Sequence, residues 1–133
     1  MYLALAHENG HVVPSGYSIP LGAGNIVGNA RDMVVFLYAL LTGQLSTPAI
    51  TYDRLRDLYP MYDKGTYYGK GIMLFDFKEI NNTDDSWIGH SGGTETYRAI
   101  LLYDTATKAF VAVAVNQHIP VEAIARKMLE QIR

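Results

Sequence analysis

The sequence predicts an α+β fold: an antiparallel sheet, a C-terminal helix packed on it, and one or two helices preceding the sheet. Two observations carry this prediction. Apolar residues recur at helical spacing between Met33 and Leu41 and again between Val121 and Ile132, whereas from Tyr67 to Asn116 they occur in extended runs separated by turn residues. The run from Ala109 to Val115 is apolar on both faces, as a central strand covered on both sides would be.

Taken in order, residues 2–13 read as two short extended pieces around Asn9-Gly10, a strong tight-turn signal. A Pro- and Gly-rich loop extends from Pro14 to Gly28. Asn29 is placed as an N-cap, and Asp32 at the third helical position favours the helix start. Met33, Phe36, Leu37, Leu40 and Leu41 form one stripe, and Gly43 supplies the stop. Burying those five side chains contributes about 7–15 kcal/mol before entropy is subtracted. A shorter helix is expected from Tyr52 to Tyr59, capped by Thr51 and ended by Pro60. Tyr67 to Phe77 reads as a strand in which Gly69 and Gly71 mark a bend or a close approach. Asn81 to Asp85 has turn chemistry. Thr96 to Tyr103 and Ala109 to Asn116 form a hairpin pair around Asp104 to Lys108. Pro120 opens the last helix, with Val121, Ile124, Ala125, Met128, Leu129 and Ile132 as its stripe.

At 133 residues the chain is long enough for a single domain, 1–133, that buries roughly two-thirds of its unfolded surface. Apolar content of 49% and charged content of 18% are those of a globular protein rather than a disordered one. A formal net charge of −2 and scattered basic residues give no footing for nucleic acid or an anionic membrane surface. Without cysteine there are no disulfides or thiolate metal sites. No apolar run reaches membrane-spanning length, and Met1 to His7 lacks the basic and long apolar regions of a secretory signal.

Chemistry concentrates in Gly89-His90-Ser91-Gly92-Gly93. A His and a small hydroxyl residue followed by two glycines let backbone come close to a ligand, which suits an active-site wall. The same five residues match the Gly-x-Ser-x-Gly nucleophile elbow, with Asp104 and His118 later in the chain order such a triad needs. An elbow demands a strand-to-helix turn, and the residues after Gly93 read as a strand. The Ser91 hydrolase is therefore a minor alternative.

Other candidates have simpler explanations. His7-Glu8-Asn9-Gly10-His11 matches the zinc-protease pattern H-E-x-x-H, but that mechanism needs both His on one helix face. Asn-Gly is a poor helix interior, so a surface turn with two solvated His is the better account, and no metal site is expected. Gly22-Ala23-Gly24-Asn25 lacks the strand-to-helix context and the Lys of a phosphate loop and reads as a tight turn. Asp76, Glu79 and Glu95 read as solvated charges, and His118 as a strand-to-helix corner. No cofactor is expected.

Four segments together resemble the serine β-lactamase-like family, which spans class C β-lactamases, penicillin-binding proteins of the D-Ala-D-Ala carboxypeptidase type and related esterases. Gly22 to Met33 is similar to that family's glycine-rich lead into a helix, where Ser-Thr commonly stands at Gly28-Asn29. Phe36 to Ser46 resembles its helix and turn, and Tyr68-Gly69-Lys70-Gly71-Ile72 a strand opening. Gly89 to Gly93, with Tyr97 to Tyr103 and Val111 to Asn116, resembles the third catalytic motif and its two strands. The resemblance implies a partial β-lactamase/transpeptidase-like fold and a parent serine hydrolase that cleaves an amide or ester through an acyl-enzyme. His90 would place a polar or cationic group near the substrate carboxylate or the proton relay, and Ser91 would hydrogen-bond the substrate. Gly93 N–H would be one of two oxyanion donors, with Gly92 and Thr94 lining the substrate. The substrate implied is a small molecule or a peptidoglycan peptide, and the location a bacterial envelope or extracellular space, or the cytoplasm for esterase-like members.

The chain departs from the family in lacking Ser-x-x-Lys, which carries the acylated serine and its activating lysine, and Tyr-x-Asn. It is therefore expected to be the C-terminal part of such a domain, inactive alone. The alternative is a stand-alone, non-catalytic binding module of the same fold. In the first case an apolar sheet edge or face, with the Val111 to Val115 strand at risk, is expected to be exposed and to promote self-association.

Overall fold

A computed structural model describes residues 7–8, 11–12, 26, 28–94 and 97–132, the first four by backbone only. His7–Glu8 (β1) and His11–Val12 (β2) pair antiparallel, His7 opposite Val12 and Glu8 opposite His11. The zinc-protease pattern needs its two His one turn apart on a helix, and a backbone of paired strands excludes that reading on geometry. The glycine-rich Gly22 to Asn25 segment and Glu95 lie outside the described residues.

The first helix, α1, runs Ala30–Leu41. The Asn29 side chain accepts from Asp32 N–H, and Gly43 (φ 77°) ends the helix in the left-handed region. Of the expected stripe, Leu37 is buried while Phe36 stands half exposed. Tyr38, itself half exposed, meets Phe110 edge to face, at 5.5 Å between ring centroids. Met33, Leu40 and Leu41 are partly buried beside Leu37, so the helix presents its expected face inward except at Phe36.

Helix α2 spans Pro48–Arg56, four residues earlier than expected. Thr47 caps it by accepting from Ile50 N–H, and Pro48 occupies the first turn, where its missing N–H costs nothing. Thr51, expected as the cap, lies inside the helix and donates its hydroxyl to Leu40 O at 3.2 Å, tying α2 to α1. Tyr59–Pro60, expected to close this helix, forms strand β3.

The segment expected as one strand from Tyr67 to Phe77 is a hairpin. Thr66–Tyr68 (β4) and Met73–Asp76 (β5) pair around a turn in which Gly71 takes φ 74°. Asp76 caps a short helix, α3 (Phe77–Asn81), that no local pattern announces, and Asn82 ends it with φ 62°. Ser86–Gly93 (β6), Arg98–Asp104 (β7) and Phe110–Val115 (β8) complete a six-stranded antiparallel sheet in the order β3-β4-β5-β6-β7-β8. Each strand pairs with its sequence neighbour. β8 is thus the last strand of the described sheet rather than a central one, although helices cover both its faces. Phe110 meets α1 on one face, and Val111 joins the core beneath the final helix on the other.

That helix, α4, spans Val121–Glu130 and comes directly after Pro120. Val121, Ala125 and Leu129 are buried against Met73, Phe75, Phe77, Trp87, Ile100 and Leu102. Met128 and Ile132, expected in the stripe, are exposed. Repeats of four set a narrower contact line than the whole apolar face, because one helix on a flat sheet touches along a single seam. At the centre, Trp87 lies edge-on to Phe77 at 4.7 Å, with the Arg126 guanidinium 4.6 Å from the Phe77 ring centre. The Trp87 indole N–H donates to Asp104 Oδ1 at 3.0 Å. Asp104, fully buried, also accepts from the N–H of Thr107 (2.9 Å) and its hydroxyl (2.6 Å), which closes the β7–β8 turn. A carboxylate so engaged is structural. With β7 a strand rather than a helix, the Ser91 elbow reading is excluded.

Candidate active-site wall

Strand β6 sits between two partners of unequal length. β7 pairs with it throughout, from Trp87 opposite Asp104 to Gly93 opposite Arg98. β5 pairs only with its first half, ending where Met73 stands opposite Gly89. His90 to Gly93 are therefore laddered on one flank only.

The direction of each backbone group is set by alternation along the strand. Asp85 O accepts from Phe77 N–H on the β5 side, while Ser86 O accepts from Thr105 N–H on the β7 side. Further along, Ser91 N–H points at Met73 Sδ (3.5 Å) and Thr94 N–H donates to Tyr97 O (2.9 Å). Odd-numbered residues turn their polar backbone groups toward β5 and even-numbered ones toward β7. By the same alternation Gly93 N–H faces the flank that β5 has left.

The flank is bounded at one end by the β4–β5 hairpin. Its turn is anchored to α2, since Lys70 N–H donates to Arg54 O (3.0 Å) and Arg54 Nη1 donates back to Lys70 O (3.1 Å). Lys70 Nζ also lies 2.7 Å from Asp53 Oδ2 and 3.5 Å from Asp57. The hydrogen bond from Lys70 holds the Asp53 carboxyl below the usual carboxylate range, and the same bond raises the lysine's own pKa. The hairpin brings Tyr68 to the motif: its hydroxyl lies 3.0 Å from His90 Nε2, with the rings edge to face at 5.5 Å. In the sequence Tyr68 stands only as part of a strand opening; nothing local marks it, because it reaches His90 from two strands away.

His90 is exposed and, with Ser91, borders a cleft that continues past Tyr68 toward Met61, Phe75 and Arg126. Ser91, Gly92, Gly93 and Thr94 line a second cleft, shared with Arg98, His118 and the first residues of α4. His118 thus lies at the expected strand-to-helix corner and borders the motif's far end. Thr94 Oγ1 accepts from Tyr97 N–H at 3.2 Å, and Arg98 Nη1 donates to the carbonyls of Thr94 and Tyr97, which fixes the end of β6. Among the acids read as solvated, Asp76 caps α3 and Glu79 accepts from the Tyr67 hydroxyl, raising that phenol's pKa. No metal-binding cluster of His, Asp and Glu is present among the described residues.

The glycines of the motif differ in what they face. A Cβ on Gly89 would run into the Leu101 carbonyl and lie 2.7 Å from Leu102 Cα, whereas one on Gly92 would meet nothing within 4 Å. Gly89 lets β6 and β7 close; Gly92 leaves room over the cleft. Gly89→Ala is expected to lower unfolding stability by about 1–3 kcal/mol through the forced separation of the two strands, and Gly92→Ala to change it by less than about 0.5 kcal/mol. Denaturant midpoints of the two variants measure the difference.

Comparison with known proteins agrees with this architecture. Functionally curated proteins give no significant sequence match. In fold the chain is similar to D-amino acid amidase from Ochrobactrum anthropi SV3, crystallised with D-phenylalanine (TM-score 0.62, 21% identity over 79% of this chain and 36% of the amidase). It is also similar to a D-stereospecific amidohydrolase from Streptomyces sp. (TM-score 0.54, 20% identity over 65% of this chain and 25% of that one). The chain thus spans about a third of the amidase's length. The family model named Beta-lactamase matches residues 3–132, nearly the whole sequence. With the ordered strands, the terminal helix and the His-Ser-Gly-Gly wall, the match establishes that this chain belongs to the β-lactamase family.

Proposed function

We propose that the chain contributes the substrate-facing wall and one oxyanion donor to a serine hydrolase that cleaves an amide or ester through an acyl-enzyme. The observation that carries this reading is the half-paired strand, with Gly93 N–H directed at the open flank beyond β5. The 133 residues contain no Ser-x-x-Lys, so the acylated serine belongs, in this reading, to a segment outside this chain.

The chemistry asked of the wall is modest and specific. As a serine oxygen bonds to the acyl carbon, the carbonyl π electrons move onto oxygen, and the negative charge needs donors already in place. Gly93 N–H is one, and the serine's own N–H the other. Collapse of the tetrahedral adduct expels the amine or alcohol, and water then repeats the sequence to release the acid. Ser91 hydrogen-bonds the substrate backbone or carboxylate, His90 supplies a polar contact beside the proton relay, and Gly92 and Thr94 shape the acyl side. The structural neighbours are a D-amino acid amidase and a D-stereospecific amidohydrolase, which favours an amide with a D-residue on its acyl side as the substrate class.

Two outcomes are expected. Intact mass after incubating this chain with a fluorescent penicillin shows no covalent adduct; a stoichiometric adduct on Ser91 overturns the assignment of the nucleophile. In an active polypeptide that contains this segment together with the acylable serine, Gly93→Pro removes the N–H without breaking a β7 ladder bond. Its kcat falls about 10²–10³-fold below that of Gly93→Ala, which places the same Cβ against Arg98 and the Tyr97 carbonyl but keeps the donor. Equal kcat values for the two variants contradict the oxyanion role.

A further inference from the structure

The hydrogen bond between Tyr68 and His90 joins the β4–β5 hairpin to the motif, and its chemistry has a direction. A phenol donates well and accepts poorly, because its oxygen lone pair is drawn into the ring. The unprotonated nitrogen of imidazole is the stronger acceptor of the pair. Of the two possible bonds across the 3.0 Å contact, Tyr68 O–H to Nε2 is therefore the more stable. No other group among the described residues hydrogen-bonds either side chain.

We infer that Tyr68 is a positioning residue that fixes the tautomer of His90: by donating to Nε2 it keeps the neutral ring's proton on Nδ1, so that the site is offered an Nδ1–H donor. The bond at one nitrogen decides which nitrogen carries the proton at the other. Three features of the fold support it. Tyr68 stands opposite Met73 in the last pair of the β4–β5 ladder, where its backbone is held. The turn beyond it is tied to α2 through Arg54 and Lys70. The edge-to-face packing at 84° sets the plane of the imidazole as well as its distance. The inference deepens the proposed role of His90 and rests on that reading for its functional meaning. It turns a generic polar contact into an N–H donor of defined direction.

The test is the ¹⁵N shifts of the His90 ring in this chain, recorded at alkaline pH where the imidazole is neutral, in the wild type and in Tyr68→Phe. The wild type is expected to show a pyrrole-like Nδ1 and a pyridine-like Nε2. In Tyr68→Phe the two are expected to move toward each other or exchange order, while the backbone amide spectrum of β6 and β7 is kept. A pyrrole-like Nε2 in the wild type overturns the inference, as does a ring whose shifts are the same in both proteins. The wild-type reading decides the direction of the bond even if the variant does not fold. No substrate is involved, so this measurement can fail while the Gly93 result stands, and the converse.

Discussion

The structure depends on the unequal pairing of β6. Where both neighbours bond to it, from Ser86 to Gly89, the strand is core: Trp87 is packed among Phe75, Phe77 and Arg126, and its N–H is satisfied by buried Asp104. Where β5 stops, the same strand becomes a surface with outward donors. Backbone polar groups must find partners or solvent, and four residues laddered on one side only form a strip of directed N–H and C=O groups. In the proposed reading the rigidity of the first half serves the second, because donors on a fixed strand reach a reacting oxygen without reorganising.

Supporting elements fit this division. α4 covers the face beneath Trp87 with Val121, Ala125 and Leu129, while α1 packs on the opposite face through Tyr38 and Phe110. The β4–β5 hairpin ends the β5 flank and hands Tyr68 to His90. Gly89 marks the changeover, since only a residue without Cβ allows β7 to approach so closely there.

Much of this is legible in the sequence where local chemistry decides. Asn29 and Asp32 announce the start of α1, Gly43 its end, and the residues between Asp104 and Lys108 the β7–β8 turn. The His-Ser-Gly-Gly segment, Tyr68 to Ile72 and the strands after them identify the family together. Other features rest on long-range partners. Thr47 outcompetes Thr51 as a cap because Pro48 comes next, and Thr51 is claimed by Leu40 O on another helix. The Gly69–Gly71 bend is a full reversal because Met73 pairs back with Tyr68. The two-sided apolar pattern of Phe110 to Val115 reports helices on both faces, which is independent of where the strand lies in the sheet. Tyr68 is invisible as a site residue because the register of two strand pairs brings it to His90.

The functional role of the wall rests most directly on which backbone N–H groups of β6 are bonded. Residue-resolved amide hydrogen exchange on this chain reads them out one by one. The N–H groups of Gly89, His90 and Gly92 are expected to be protected by their ladders, and that of Gly93 to exchange far faster than Gly92 beside it. Protection of Gly93 equal to that of Gly92 would mean that its donor is already occupied, and the open wall on which the functional reading depends would not exist.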